Sequence, residues 1–186
     1  MVTAFQEDGS LDERGIREIV RHNIDHCGVK GLFVGGTMGE RYKMSTAAMK
    51  ELYHIVADET AGKVDLVANI SALAFEEVLE LGACAKEEGY SRVAMIAPIF
   101  HGYNSEEIVD YYIYIADHIS IPLMIYVIPS FSKVDFTESM LVRLLKHPNI
   151  VGLKFTHNDY YLLDRVRVKC PDAILFTGFE IGRASC

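Results

Sequence analysis

Closely spaced cysteines are missing from this sequence of 186 residues. The four cysteines are Cys27, Cys84, Cys170 and Cys186, and no two of them form a CxxC pair. This spacing offers neither the ligand pairs of a structural zinc site nor the dense disulfide framework of a small secreted domain. We therefore expect reduced thiols and a cytoplasmic protein.

Long apolar runs and an excess of positive charge are missing as well. No run is long enough to span a membrane, and the opening MVTAFQEDGS has no basic stretch followed by an apolar one, so we expect no signal peptide. The net charge is −8, which argues against nucleic acid or an anionic membrane as the main partner. The net charge does not exclude small-molecule ligands, because their binding depends on local charge.

The sequence does contain a repeated pattern of a short apolar run, a turn and an amphipathic stretch with helical period. Six runs predict strands, at 31–35, 64–70, 92–97, 121–128, 150–156 and 173–178, and MVTAF reads as the stub of another. Helices are predicted at about 11–26, 45–61, 75–88, 105–118, 137–147 and 159–169, with N-caps at Ser10, Ser45, Ser105 and Thr137. The strands lack strict alternation, which predicts parallel strands that helices cover on both faces.

Two architectures fit strands that start about thirty residues apart, a doubly wound open sheet and a (β/α)8 barrel. The turn VGGTMGE at 34–40 is rich in glycine but lacks both the GxGxxG and the Walker spacing. This absence favours the barrel, although a full barrel takes about 250 residues. No linker or change of composition interrupts the chain, so we predict a single partial domain over 1–186.

The ends of the predicted strands are where a site of either architecture would form. Lys154 lies in the run IVGLKFT on the same strand face as Gly152 and Thr156, opposite three apolar residues. An inward amine is desolvated, its pKa falls, and the neutral nucleophile can form a Schiff base. The alternative is a lysine that extends to water or pairs with an acid.

Other strand ends carry Tyr126, Thr37 and Gly36. A phenol at a strand end can relay a proton if a hydroxyl such as that of Thr37 orients it, or it can simply be packed with its hydroxyl satisfied. The backbone at Gly36 can offer N–H groups to a carboxylate, or the glycine can merely make a tight turn.

His22 and His26 have the spacing of two metal ligands on a helix, but no third ligand accompanies them, and a solvated face is the better interpretation. We expect no metal site and no hydrolase triad.

Three ordered motifs, GLFVGGTMGE, LMIYVIPSFSKV and VGLKFTHNDYYLLDRVR, resemble the pyruvate-dependent class I aldolases. That superfamily contains N-acetylneuraminate lyase and dihydrodipicolinate synthase, and its fold is a (β/α)8 barrel. The stretches after Tyr126 and Lys154 are more similar to the lyase branch. The resemblance implies a truncated barrel that lacks part of the first strand, the eighth strand and the C-terminal helices.

The resemblance also implies roles for individual residues. Lys154 corresponds to the Schiff-base lysine, Tyr126 to the proton-transfer tyrosine, and Thr37 to the hydroxyl that hydrogen-bonds this tyrosine. Gly36 and Met38 correspond to the turn that binds the pyruvate carboxylate, and Thr156, Gly178 and Glu180 to positions that contact the sugar-acid chain. The implied reaction is cleavage of N-acetylneuraminate to pyruvate and N-acetylmannosamine, without metal or coenzyme, by a homo-oligomer, a tetramer in this family.

The motifs depart from the family pattern at three positions. Met38 replaces a threonine, Phe100 stands where members often carry a tyrosine, and Ile181 stands where the lyase has a glutamate. A thioether donates no hydrogen bond, so we expect weaker carboxylate binding at Met38. The alternatives to the lyase are a dihydrodipicolinate synthase-like or other pyruvate-dependent aldolase, and a non-catalytic remnant.

Overall fold

The computed structural model describes residues 1–178, whose contacts divide into two compact units, Met1–Val93 and the residues from Ala94 onward. All six predicted strands and all six predicted helices are present, with ends within a few residues of those expected. The prediction of a single domain stays a prediction. No helix in the described part of the chain is long and apolar enough to cross a membrane.

The first unit alternates helices and strands, and its two complete strands pair in parallel. Its elements are α1 (Glu13–Asp25), β1 (Gly31–Val34), α2 (Thr46–Thr60), β2 (Asp65–Asn69), α3 (Phe75–Glu87) and the start of β3 (Arg92–Met95). Strand β1 pairs with β2 so that Val34 lies opposite Ala68. On the helix side, Arg17 of α1 forms salt bridges with Asp58 and Glu59 of α2 and ties these two helices together.

The second unit repeats the same plan with three parallel strands. Its elements are α4 (Ser105–His118), β4 (Leu123–Val127), α5 (Pro129–Ser132), α6 (Glu138–Leu145), β5 (Ile150–Phe155), α7 (Tyr160–Lys169) and β6 (Ile174–Thr177). Strand β5 pairs in parallel with both β4 and β6. Every residue of β4 is buried, as expected for a strand that is covered on both faces.

Two predicted N-caps, Ser10 and Ser105, are wrong, and the predicted opening stub forms no strand in the described structure. An antiparallel bridge between Phe5 and Leu11 keeps the chain extended through Leu11, so the N-cap of α1 is Asp12 and not Ser10. Residues 1–4 form no strand in the described structure, although the amino group of Met1 donates to the carbonyl of Phe33 in β1 at 2.8 Å. At α4, Asn104 caps the helix in place of Ser105, and its amide oxygen accepts hydrogen bonds from two backbone N–H groups.

Gly152 lets β6 approach β5, and this contact yields a test of the second unit. A Cβ atom at residue 152 would lie 2.0 Å from the backbone oxygen of Ile174. Because backbone cannot move aside cheaply, we expect Gly152→Ala to lower the free energy of unfolding by about 2 kcal/mol or more. Urea unfolding of this variant and of Gly102→Ala, whose Cβ would meet nothing within 4 Å, measures the difference. Equal midpoints for the two variants would show that β6 does not approach β5 this closely.

Candidate active site

Lys154 lies near the end of β5, between two neighbouring strands. It is the register partner of Tyr126 in β4 and of Phe176 in β6. Its own side chain is half-buried, while Leu153 and Phe155 on the other face of the strand are fully buried. The apolar face therefore packs into the core, and the amine projects from the face predicted for it.

Burial of the Lys154 amine favours its neutral form. Its Nζ lies 3.6 Å from the centroid of the Tyr126 ring and 3.4 Å from Oγ1 of Thr156. Burial lowers the pKa of Lys154, and the interaction with Tyr126 opposes this shift only in part. A larger fraction of the amine is then neutral near pH 7 than for a lysine in water, which is what imine formation requires.

Thr156 and Gly178, two further predicted site residues, lie against each other next to this lysine. The N–H of Thr156 donates to the carbonyl of Val127, and the N–H of Gly178 donates to that of Phe155, both at 2.8 Å. A Cβ atom at Gly178 would lie only 1.8 Å from Oγ1 of Thr156, so any other residue there would displace the Thr156 side chain. The second unit thus brings Lys154, Tyr126, Thr156 and Gly178 together.

The remaining predicted residue of this group, Glu180, lies outside the described residues, as does Ile181.

Gly36, Thr37 and Met38 lie together in the first unit, in a segment that we call the glycine turn, residues 35–40. The turn begins with Gly35 at a φ of 67°, passes through a short 3-10 helix over Thr37–Gly39 and ends with Glu40 at a φ of 59°. Gly36 is buried, whereas Thr37 is exposed and the Met38 side chain is 76% exposed. The predicted turn is therefore present, with a thioether at its surface.

Sequence reasoning missed two buried polar residues, one that binds the glycine turn and one that follows it. Asn69, at the end of β2, donates from Nδ2 to the carbonyl of Gly35 at 2.7 Å. Arg41 is buried directly after the turn, donates to the carbonyl of Met44 at 3.0 Å, and has its pKa lowered by burial. The sequence signal for Asn69 was a polar amide at the end of an apolar strand run, a position that parallel sheets use for sites.

His22 in α1 and His26 directly after this helix gain no further ligand in the described residues. The rings of His22 and His26 lie 5.3 Å apart on exposed residues. Within residues 1–178, no three His, Cys, Asp or Glu side chains are grouped so that they could hold a metal ion.

The comparisons with known proteins agree with these motifs. The profile of the Dihydrodipicolinate synthetase family matches residues 1–184. The N-acetylneuraminate lyase of Clostridium perfringens is 36% identical over 180 residues, which are 97% of this chain and 62% of the relative. The chain therefore spans less than two thirds of the length of such a relative.

Comparison with solved structures supports the same fold. The structure of CdNal from Clostridium difficile, in complex with mannosamine, matches 96% of this chain and 62% of that one, with a TM-score of 0.93 and 35% identity. Dihydrodipicolinate synthase from Aquifex aeolicus matches 96% of this chain and 61% of its own with a TM-score of 0.89, but at 22% identity it supports the fold alone. The predicted fold class, a partial (β/α)8 barrel, is confirmed, and the chain belongs to the dihydrodipicolinate synthetase family.

Proposed function

We propose that this chain is part of a Schiff-base aldolase that cleaves N-acetylneuraminate to pyruvate and N-acetylmannosamine. The observation that carries the proposal is the half-buried amine of Lys154, whose Nζ lies 3.6 Å from the centroid of the Tyr126 ring and whose pKa is lowered by burial. The identity of 36% to an N-acetylneuraminate lyase supports this substrate over others of the family.

The proposed reaction is a retro-aldol cleavage through an imine. The neutral amine of Lys154 attacks the C2 ketone of the open-chain sugar acid, and loss of water gives a cationic iminium. Tyr126 accepts the proton of the C4 hydroxyl, the C3–C4 bond breaks, and its electron pair moves toward the iminium to give an enamine. N-acetylmannosamine leaves as the aldehyde, the enamine takes a proton at C3, and water releases pyruvate and the free lysine.

The other predicted residues have binding roles in this proposal. Thr156 and Gly178 lie beside Lys154 and are proposed to contact the sugar-acid chain, and Glu180 is proposed to do so by resemblance alone. Thr37 keeps the role of a hydroxyl that orients the catalytic tyrosine. Gly36 and Met38 belong to the turn proposed to bind the keto-acid carboxylate.

The setting of the enzyme is also a proposal. We infer a cytoplasmic homo-oligomer, a tetramer by family resemblance, that acts on small molecules and not on nucleic acid or membranes. Cys27, Cys84 and Cys170 are free thiols, which supports a reducing compartment. Phe100 on the loop after β3 is 80% exposed, which is compatible with a subunit contact.

The first prediction concerns imine formation at Lys154. Incubation with pyruvate and borohydride should add a stable adduct at this residue, and Lys154→Arg should abolish it, because guanidinium is not a nucleophile here. The rate should rise with pH and level off below the ordinary lysine pKa, since burial lowers the pKa of Lys154 and so exposes the neutral amine at lower pH.

Mass spectrometry of the digested protein measures the adduct. Lys133→Arg, at an exposed lysine of the same unit, is the matched control and should trap pyruvate normally. A folded chain with no adduct at Lys154 contradicts the Schiff-base proposal.

The second prediction separates the lyase from its alternatives. We expect release of pyruvate from N-acetylneuraminate and no condensation of pyruvate with aspartate semialdehyde, each followed by coupled assay. Turnover of the second pair alone would favour a dihydrodipicolinate synthase-like enzyme. Turnover of neither, with pyruvate trapped at Lys154, would point to another aldolase, and failure of both assays and of trapping would favour a non-catalytic remnant.

The third prediction concerns the exposed thioether of the glycine turn. Met38→Thr should restore one hydrogen bond to a carboxylate, worth roughly 1.5–3 kcal/mol, so pyruvate should bind about ten- to a hundredfold more tightly. Met38→Val has a similar shape to the threonine variant without the hydroxyl and should leave affinity unchanged. Titration of the trapping rate with pyruvate compares all three proteins. Equal affinity of the threonine and valine variants would mean that the backbone alone binds the anion.

A further inference from the structure

The carbonyl of Gly35 is bound from inside the first unit by a side chain with no assigned role. Asn69 Nδ2 donates to this carbonyl at 2.7 Å, and both residues are buried. Residues 35 and 69 come from the ends of β1 and β2, which are paired in parallel. The hydrogen bond therefore connects the start of the glycine turn to the neighbouring strand.

The orientation of the Asn69 amide follows from its partners. The Oδ1 atom accepts from Ser71 Oγ at 2.6 Å and from the backbone N–H of Ser71 at 3.3 Å. A backbone N–H can only donate and a carbonyl can only accept, so only this orientation of the amide satisfies both Ser71 and Gly35. Ser71 thus holds the amide with its NH₂ group toward the glycine turn.

A second buried hydrogen bond fixes the backbone of Asn69. Tyr53, which is fully buried in α2, donates from its hydroxyl to the carbonyl of Asn69 at 2.6 Å. Tyr90 in turn donates to the carbonyl of Tyr53 at 3.1 Å. Buried hydrogen bonds of this kind restrict movement, because breaking one leaves a polar group without a partner in the core.

The anchored carbonyl sets the direction of the next N–H group. In a trans peptide the C=O and the following N–H lie in one plane and point in opposite directions within it, so the N–H of Gly36 points away from Asn69. Gly35 has a φ of 67°, and a Cβ atom there would lie 2.5 Å from Cε of Met49. Rotation of this peptide would break the hydrogen bond to Asn69 and change the path of the residues that follow.

We propose that Asn69 is a positioning residue that holds the peptide between Gly35 and Gly36, and with it the glycine turn, in the orientation that binds the carboxylate of a keto acid. The inference rests on the proposed function and adds to it a residue that touches no substrate. It concerns affinity for the acid and not the chemistry at Lys154.

The test compares pyruvate trapping by borohydride in Asn69→Ala, Asn69→Asp and Thr60→Val. Asn69→Asp keeps an acceptor for Ser71 but turns a carboxylate toward the Gly35 carbonyl, which repels it. For both Asn69 variants we expect half-maximal trapping at about ten- to a hundredfold higher pyruvate, since a small misplacement of a binding group has effects of this size. The rate at saturating pyruvate should stay close to that of the wild type.

Thr60→Val is the matched control, because it removes one buried hydrogen bond of the same unit, from the Thr60 hydroxyl to the carbonyl of Ala57 at 3.0 Å within α2, that is not part of the chain of bonds to Asn69. It should lower stability while leaving the half-saturating pyruvate concentration unchanged. Ser71→Ala covers the case in which the Asn69 variants do not fold, since it keeps the Asn69 amide and removes only the hydrogen bonds of the Ser71 hydroxyl. It should raise the half-saturating pyruvate concentration by a smaller factor than the Asn69 variants do.

Two outcomes overturn the inference. Unchanged half-saturation in the folded Asn69 variants or in Ser71→Ala, with normal wild-type trapping, rejects the role of Asn69 and leaves the proposed function intact. An equal shift in Thr60→Val rejects it as well, because general loosening of the unit would then explain the effect. A folded wild type that traps no pyruvate overturns the proposed function and this inference together.

Discussion

The register between β4 and β5 is the constraint on which the candidate site depends. Leu123 lies opposite Ile150, but Met124 lies opposite Gly152, so the pairing skips Val151. Because of this shift, Tyr126 is the partner of Lys154; an unbroken register would have placed it opposite Leu153. An irregularity of one residue in a parallel pair is uncommon and re-aims the side chains that follow it. The relation between amine and phenol is thus a property of backbone pairing and does not depend on a flexible loop.

The two glycines beside this pair determine how closely the next strand approaches. Without a side chain at Gly152, the backbone at Ile174 lies where a Cβ atom would be, and without one at Gly178 the hydroxyl of Thr156 occupies the corresponding space. Both contacts bring the chain at β6 against β5, the strand that carries Lys154. Desolvation is the largest cause of the lowered pKa of this lysine.

The sequence predicted the elements well and the site in part, for different physical reasons. Apolar periodicity and turn residues are local signals, so all six strands and six of the seven α-helices of the described chain could be predicted, the short α5 being missed, and Lys154 was singled out because a cation in an apolar strand is conspicuous. The register shift at Val151 and the hydrogen bond from Asn69 to Gly35 depend on contacts between distant segments. No local pattern encodes such contacts. Capping at Asp12 in place of Ser10 was missed for the same reason, since the bridge from Phe5 to Leu11 sets the helix start.

The folding free energy that buried polar groups cost helps to distinguish an enzyme from a non-catalytic remnant. A half-buried amine at Lys154 and a buried amide at Asn69 are more expensive to fold than apolar residues of similar size, and stability alone does not require either. The bond from Asn69 holds one peptide of the glycine turn in a single orientation, while Met38, exposed on the same turn, supplies no hydrogen-bond donor. Binding of an anion at this turn would thus depend on backbone geometry, and the buried hydrogen bonds restrain that geometry. Groups that cost folding energy and constrain a candidate binding surface are what a working site requires, and this supports the enzyme over the remnant.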